Sequence, residues 1–435
     1  MEGLTGGTVV EFVHEIKRFR REIRLFLVFN LFANIAIGVF ALIYNLYLVS
    51  LSHREDFIGS YNAVYTLAMA GAALVMGPLI GRFGNWACLT FGTAVFLVAS
   101  LILAMVDRPW VILATSVIAG GASAFVVVPV MPFIVEWARP EKRSVAAAVT
   151  FSIQSLSATL GSLIGGWSPR LISVIFDVSP TGVTAYRVTL IAGVVLGVLA
   201  LVPLWRMQHA RGHRASETGQ QAFIVSEATP TRRTVRRHIT MFVLAGLVLS
   251  IGSGAVVPFY NVYLASIGAG PSQIGLIYAL AGVVAAVVGL GAPAIGRRFG
   301  PLGAEALLRL LPVPFFLVLP LVPSLGLALI AHIVRMTALS VAWPINSTFI
   351  SEMLPSRARA NAFSLRSGMW NLGYAAASLL AGQIIVAAGY NAVFIIFALS
   401  QIGSTSVFTG YFWRVRQRAA TQAPAQAEPA TSAVP

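Results

Sequence analysis

Twelve long apolar runs, separated by short polar stretches, limit what this chain can fold into more than any other feature. A helix rises about 1.5 Å per residue, so about 20 apolar residues carry it across a bilayer. The runs fall at about 24–51, 57–81, 86–106, 110–137, 144–168, 185–206, 239–265, 272–295, 302–321, 325–351, 361–388 and 391–413. Each is bounded by charge, Pro or Gly. Only 10% of the 435 residues are charged and 57% are hydrophobic, whereas soluble domains carry about 25% charged residues. Much of the surface must therefore face lipid. The reading is an all-α, multi-pass membrane protein of twelve transmembrane helices.

The net charge of +15 does not point to nucleic acid. The basic residues lie between apolar runs and form no continuous face. The connecting segments alternate from one side of the membrane to the other, and the basic residues concentrate on one of the two. Lys17, Arg18, Arg20, Arg21 and Arg24, then Arg82, Arg139, Lys142, Arg143, Arg297, Arg298, Arg357 and Arg359 fall on one side. The other side holds only Arg54, Arg108, Arg170 and Arg187. The positive-inside rule then places both termini in the cytoplasm and the chain in the cytoplasmic (plasma) membrane. The single cysteine, Cys88, reads as a small packing residue, and no cofactor or metal site is expected.

Five segments follow. Residues 1–23 form a cytoplasmic N-terminal segment, 24–206 a six-helix bundle, 207–238 a basic cytoplasmic linker, 239–413 a second six-helix bundle and 414–435 a disordered tail. The stretch 169–184 reads as a loop on the outer side. The two bundles are related by a repeat at an offset of 216 residues. Tyr44-Asn45-Leu46-Tyr47-Leu48 returns as Tyr260-Asn261-Val262-Tyr263-Leu264, Ile58-Gly59 as Ile274-Gly275, and Arg82-Phe83-Gly84 as Arg298-Phe299-Gly300. Glu136 and Arg143 return as Glu352 and Arg359, and Gly166 as Gly382. Matches at polar positions in one register are not a product of apolar composition. Parallel six-helix halves are a transporter plan, with the solute site between them.

On these residues the chain resembles the major facilitator superfamily. Gly77-Pro78-Leu79-Ile80-Gly81-Arg82-Phe83-Gly84 is similar to the family's loop between the second and third helices, which usually carries an Asp before its Arg. Here Gly81 replaces that Asp, and the loop of the second half, ending in Arg298-Phe299-Gly300, lacks it too. Glu136 with Arg143, and Glu352 with Arg359, look like the family's acidic-to-basic pairs. Gly161-Ser162-Leu163-Ile164-Gly165-Gly166 resembles a fifth-helix motif of its antiporters, with Ser162 in place of Pro. The resemblance implies two pseudo-symmetric bundles, alternating access, a small-molecule substrate, protons as candidate coupling ions, a monomer, and no enzymatic activity. It leans towards proton-coupled efflux of drug-like or amphipathic compounds. Uptake or facilitated transport of a polar or anionic metabolite is the alternative, and a receptor or scaffold without transport is a third.

Ionisable groups inside a bilayer are functional candidates by default. No acid falls at mid-membrane; Glu305 stands one turn into the ninth run, four before Arg309. That argues against a cationic substrate. The tenth run carries His332, the one histidine within these spans, and Arg335 on the same face three residues on. Arg335 is expected to hold an anionic group and His332 to sense or carry a proton. Each has a plainer reading, as a snorkelling cation and as an interhelical hydrogen bonder. Asn34, Gln154, Arg366, Trp370 and Asn371 complete the candidate binding or coupling set. Gly77, Gly81, Arg82, Gly84, Glu136, Arg143, Gly161, Gly165, Gly166, Arg298, Gly300, Glu352 and Arg359 form the gating and packing set.

Overall fold

The computed structural model describes residues 19–139, 142–207 and 232–422. Twelve helices are long and apolar enough to span a membrane. They are α1 (Arg21–Ser50), α2 (Glu55–Phe83), α3 (Asn85–Met105), α4 (Pro109–Trp137), α5 (Val145–Phe176), α6 (Val183–Met207), α7 (Arg232–Ser266), α8 (Pro271–Gly289), α9 (Ala292–Val318), α10 (Leu325–Met353), α11 (Arg357–Ala388) and α12 (Tyr390–Gln417).

The boundaries depart from the apolar runs in four places. Helix α5 does not stop at 168 but continues through Pro169 to Phe176, so the outer loop is only a few residues long. Proline normally ends a helix, but membrane helices tolerate it because neighbouring groups take up the freed carbonyl. The segment ends where Asp177 turns left-handed at φ 50°. Helix α7 starts at Arg232, inside the expected linker, and beyond the span of α12 the same helix runs on to Gln422, inside the expected tail. Long basic side chains reach water from a helix end, so charge does not mark its limit. Helix α8 closes at Gly289, and after a two-residue turn α9 begins at Ala292 and kinks at Gly300. The rest of the expected N-terminal segment, linker and tail falls outside the described residues.

The helix ends carrying Arg82, Arg143, Arg298 and Arg359 define a basic end of the bundle. At the opposite end the two halves share one hydrophobic cluster. It includes Leu42, Tyr44, Tyr47 and Ile58 from the first half with Phe259, Tyr260, Ala381 and Phe394 from the second. At the basic end each half keeps its own cluster: Phe26, Phe29, Phe133 and Leu204 in one, Phe242, Phe349, Phe408 and Phe412 in the other. The halves are therefore joined at the non-basic end and separate towards the basic end.

The repeat explains how the joined end closes. Asn45 donates to the carbonyl of Pro258 at 2.6 Å, and Asn261 donates to the carbonyl of Leu42 at 2.7 Å. Donors and acceptors are both related by the 216-residue offset, so this is one bond made twice about a pseudo-two-fold axis. The glycines do the same. A Cβ on Gly166 of α5 would sit 2.7 Å from the Cα of Gly275 in α8. One on Gly59 of α2 would sit 2.5 Å from the Ser378 carbonyl oxygen in α11, and one on Gly382 would sit 2.3 Å from that of Glu55. Small residues let helix backbones touch, and in a membrane that contact is the main adhesive between helices.

These contacts predict a gate. A net hydrogen bond contributes about 1 kcal/mol, so Asn45→Ala with Asn261→Ala should weaken closure by about 2 kcal/mol, roughly 30-fold in the open-to-closed ratio. The native Cys88 is buried, which keeps background thiol labelling low. In a Ser253→Cys background, labelling by an impermeant reagent from the non-basic side should rise at least tenfold in the double variant. An unchanged rate would remove the latch from the gate.

Candidate functional site

A cavity of about 840 Å³ lies between the halves, in the range of small-molecule sites. Its walls come from α5 and from most helices of the second half. Phe151 and Trp343 line it while 48% and 64% exposed, so it opens towards the basic end. Helix α5 contributes Ser155, Thr159 and Ser162, spaced to share one face. The hydroxyls of Thr159 and Ser162 donate to the carbonyls of Ser155 and Ala158 in the preceding turn. Their lone pairs remain for a donor in the cavity.

Three arginines line this cavity: Arg309 from α9, Arg335 from α10 and Arg366 from α11. Arg309 is neutralised. It donates to Oε1 of Glu305 in an ion pair, and Asn346 of α10 donates to the same oxygen at 2.9 Å. Glu305 is 1% exposed. Arg366 is close enough to feel the charges of both Arg309 and Glu305.

Arg335 is different. It is 9% exposed, and among the described residues no carboxylate pairs with it. Its Nη2 lies 3.4 Å from Nδ1 of His332 and 3.6 Å from Sδ of Met336, and its buried Nε has no partner. His332 is held by rings, stacked on Tyr260 at 4.9 Å and tilted against Tyr278 at 4.3 Å between centroids. Tyr260 is itself fixed by donating to the carbonyl of Ala328. The result is a rigid cation set into an aromatic and apolar wall. A buried guanidinium with unused donors favours an anionic oxygen, since pairing offsets the cost of taking its charge out of water.

The other residues singled out in the sequence divide into two groups. Arg366 and Trp370 line the cavity. His332 stands behind Arg335 and does not line it. Asn34 donates to the Asn30 carbonyl and Asn371 to the Ser367 carbonyl, each within its own helix. Gln154 ties α5 to α1 through Oδ1 of Asn30 at 2.8 Å. Nor is His332 alone among helical histidines, because His238 is buried in α7, packed against Tyr411 and Phe412.

The gating set is mostly accounted for by local geometry. Gly84 and Gly300 take φ +82° and +68°, which a side chain would strain, and this preserves the turn in both halves. Arg82 lies over Phe83 at 5.3 Å and Arg298 over Phe299 at 5.6 Å. Gly77 and Gly81 have open space around them. Glu136 accepts from Asn85 at 2.6 Å, and Arg359 donates to the Leu354 carbonyl. Among the described residues, Glu136 and Arg143, and Glu352 and Arg359, form no ion pair. Gly161 and Gly165 of α5 abut Ile35, Gly38 and Val39 of α1, and Gly166 abuts Gly275.

The sequence reading did not assign Glu305, Arg309 and Asn346 to the site. The Glu305–Arg309 spacing at i, i+4 was a visible signal; the convergence of Asn346 and Arg366 on it was not.

The family model described as Major Facilitator Superfamily matches residues 25–339 and 307–434. Solved structures match over nearly the whole chain. The nucleoside transporter NupG superposes with a TM-score of 0.68 at 14% identity, covering 90% of this chain and 99% of that one. A bacterial homolog of the human lysosomal transporter Spinster, in an inward-facing and unoccupied conformation, gives 0.68 at 14% identity, covering 93% and 98%. A D-xylose-proton symporter gives 0.66 at 14%, covering 89% and 97%. At this identity the likeness is one of fold. No curated protein matches the chain.

The ion pair makes its own prediction. Removing one partner of a buried pair leaves an uncompensated charge and costs about 3–5 kcal/mol, while removing both is often near neutral. Arg309→Gln should therefore lower thermal stability sharply, and adding Glu305→Gln should restore most of it. A double variant no more stable than Arg309→Gln alone would show that the pair is not coupled in this way.

Proposed function

The chain belongs to the major facilitator superfamily of secondary transporters, and from that premise we propose that it carries a small organic anion with an apolar body. The observation that supports this reading is Arg335, a buried cation in the cavity wall with unused donors and no acidic partner among the described residues. Phe151, Phe363, Trp343 and Trp370 supply apolar surface for the rest of the solute. The drug-like, amphipathic substrate expected from the sequence keeps its apolar part and acquires a negative charge.

The glycine motif of α5 no longer argues for export, since each of its glycines is used in a helix contact. Direction follows from coupling. A univalent anion is driven out of an inside-negative cell by about 2.3 kcal/mol per 100 mV unless a proton accompanies it. The positive-inside asymmetry supports a cytoplasmic basic end, so the cavity in this structure would load from the cytoplasm. The twelve helices enclose the cavity within one chain, which supports a monomer.

Three probes with one apolar body test the reading: 1-naphthalenesulfonate, the neutral sulfonamide and 1-naphthylmethylamine. Quenching of Trp343 and Trp370 should report binding of the sulfonate, weaker binding of the amide and none of the amine. A charge-assisted hydrogen bond contributes about 2 kcal/mol, so Arg335→Gln should weaken sulfonate binding roughly 30-fold and leave the amide little changed. Equal affinity for sulfonate and amine would rule out an anion site.

A further inference from the structure

The cavity wall carries more positive charge than one univalent anion can match. Three arginines line it, and none of its lining residues is Asp or Glu. Arg309 is cancelled by Glu305, which lies behind the wall. That leaves Arg335, which is buried, and Arg366, which is half-buried. Among the described residues neither of them forms an ion pair. A guanidinium held away from bulk water without a counter-charge is costly. An anion on Arg335 alone would leave Arg366 in that position, so the wall favours a second anionic group.

The two arginines stand at different depths. Helices α10 and α11 run antiparallel and are joined at the basic end through Leu354 and Pro355. Arg335 stands 18 residues before Met353, about 27 Å from that end, and Arg366 stands 10 residues after Ser356, about 15 Å from it. Their levels therefore differ by about 12 Å. The side chains do not converge. Nη2 of Arg335 meets His332, one turn nearer the non-basic end, whereas Arg366 lies near Glu305 and Arg309, which Asn346 ties to the basic side. The wall between the two levels is apolar. Leu339, four residues beyond Arg335, and Trp370, four beyond Arg366, fall midway, and both line the cavity. A single carboxylate, sulfonate or phosphate meets only one of the two guanidiniums at a time.

We infer that the substrate is an elongated dianion, with one anionic end on Arg335, the other on Arg366, and an apolar middle against Leu339 and Trp370. This rests on the anion reading above and gives the solute its second charge and its length. Two ligand charges against two free guanidiniums leave the loaded cavity neutral. An extended carbon chain advances about 1.25 Å per bond, which sets the carboxylates of decanedioate about 11 Å apart. An unbranched dicarboxylate of about that length spans the two levels, and a shorter one does not.

The test is displacement of 1-naphthalenesulfonate, read as recovery of Trp emission, by unbranched dicarboxylates from butanedioate to tetradecanedioate. Their monoamides serve as controls of equal length and single charge. At neutral pH both carboxylates of each diacid are ionised. Affinity should peak between octanedioate and dodecanedioate, and decanedioate should bind about 30-fold more tightly than its monoamide. Arg366→Gln should abolish that advantage and leave the monoamide and 1-naphthalenesulfonate little changed. The length series needs no variant, so it decides the question if Arg366→Gln does not fold. Butanedioate binding as tightly as decanedioate overturns the proposal, as does a monoamide that matches its dicarboxylate at every length. A dicarboxylate advantage that survives Arg366→Gln overturns it too. In each of these cases binding of 1-naphthalenesulfonate leaves the anion reading standing. Failure of the sulfonate to bind the wild type sinks both.

Discussion

The structure depends on the cost of placing a polar group where no water can reach it. In hydrocarbon every backbone donor needs an internal partner, which leaves helices as the spanning elements. The same cost governs how the helices meet. Lipid supplies no hydrophobic drive between them, so adhesion comes from close backbone contact and from a few buried hydrogen bonds. Gly59 with Gly382, Gly166 with Gly275, and the two asparagine-to-carbonyl bonds of Asn45 and Asn261 are that adhesion, all at the non-basic end. They are specific and few, and a joint of that kind can be remade in a second arrangement.

The fold is symmetric and the chemistry is not. Turns, glycine contacts and the asparagine latch occur in pairs, one in each half. The charges in and behind the cavity wall occur once. Positions 89, 93, 119 and 150, which correspond to Glu305, Arg309, Arg335 and Arg366, are Leu89, Thr93, Ala119 and Thr150. Structural constraints act alike on both halves of a rocking bundle, so they preserve the repeat. A solute needs only one wall to recognise it, and each buried charge is expensive. The first half contributes mainly the hydroxyl face and Phe151 of α5, with the cationic wall opposite.

Within that wall the two polar centres solve the same problem differently. Arg309 is compensated by a carboxylate supplied by the protein. Arg335 is met only by a histidine nitrogen and a thioether among the described residues, which leaves it able to take a partner from outside. Of the three cavity guanidiniums, Arg309 is held by the protein's own carboxylate and Arg335 is left for a ligand.

The sequence by itself determined the twelve spans, the two halves, the basic end and the candidacy of Arg335. Those properties are set by hydropathy, charge placement and self-similarity, which are local or periodic. It also showed which glycines and asparagines recur, though not that Asn45 and Asn261 reach carbonyls in the opposite half. Only the tertiary structure decided that Asn34, Asn371 and Gln154 are spent on helix backbones and a neighbouring helix, or that Pro169 lies within α5. The same holds for Glu305, whose partner Asn346 lies 41 residues further along the chain. The physical reason is common to all of these. A side chain's role inside a membrane is fixed by which polar group it meets across a helix interface, and that meeting is set by helix rotation and packing, which no single helix encodes.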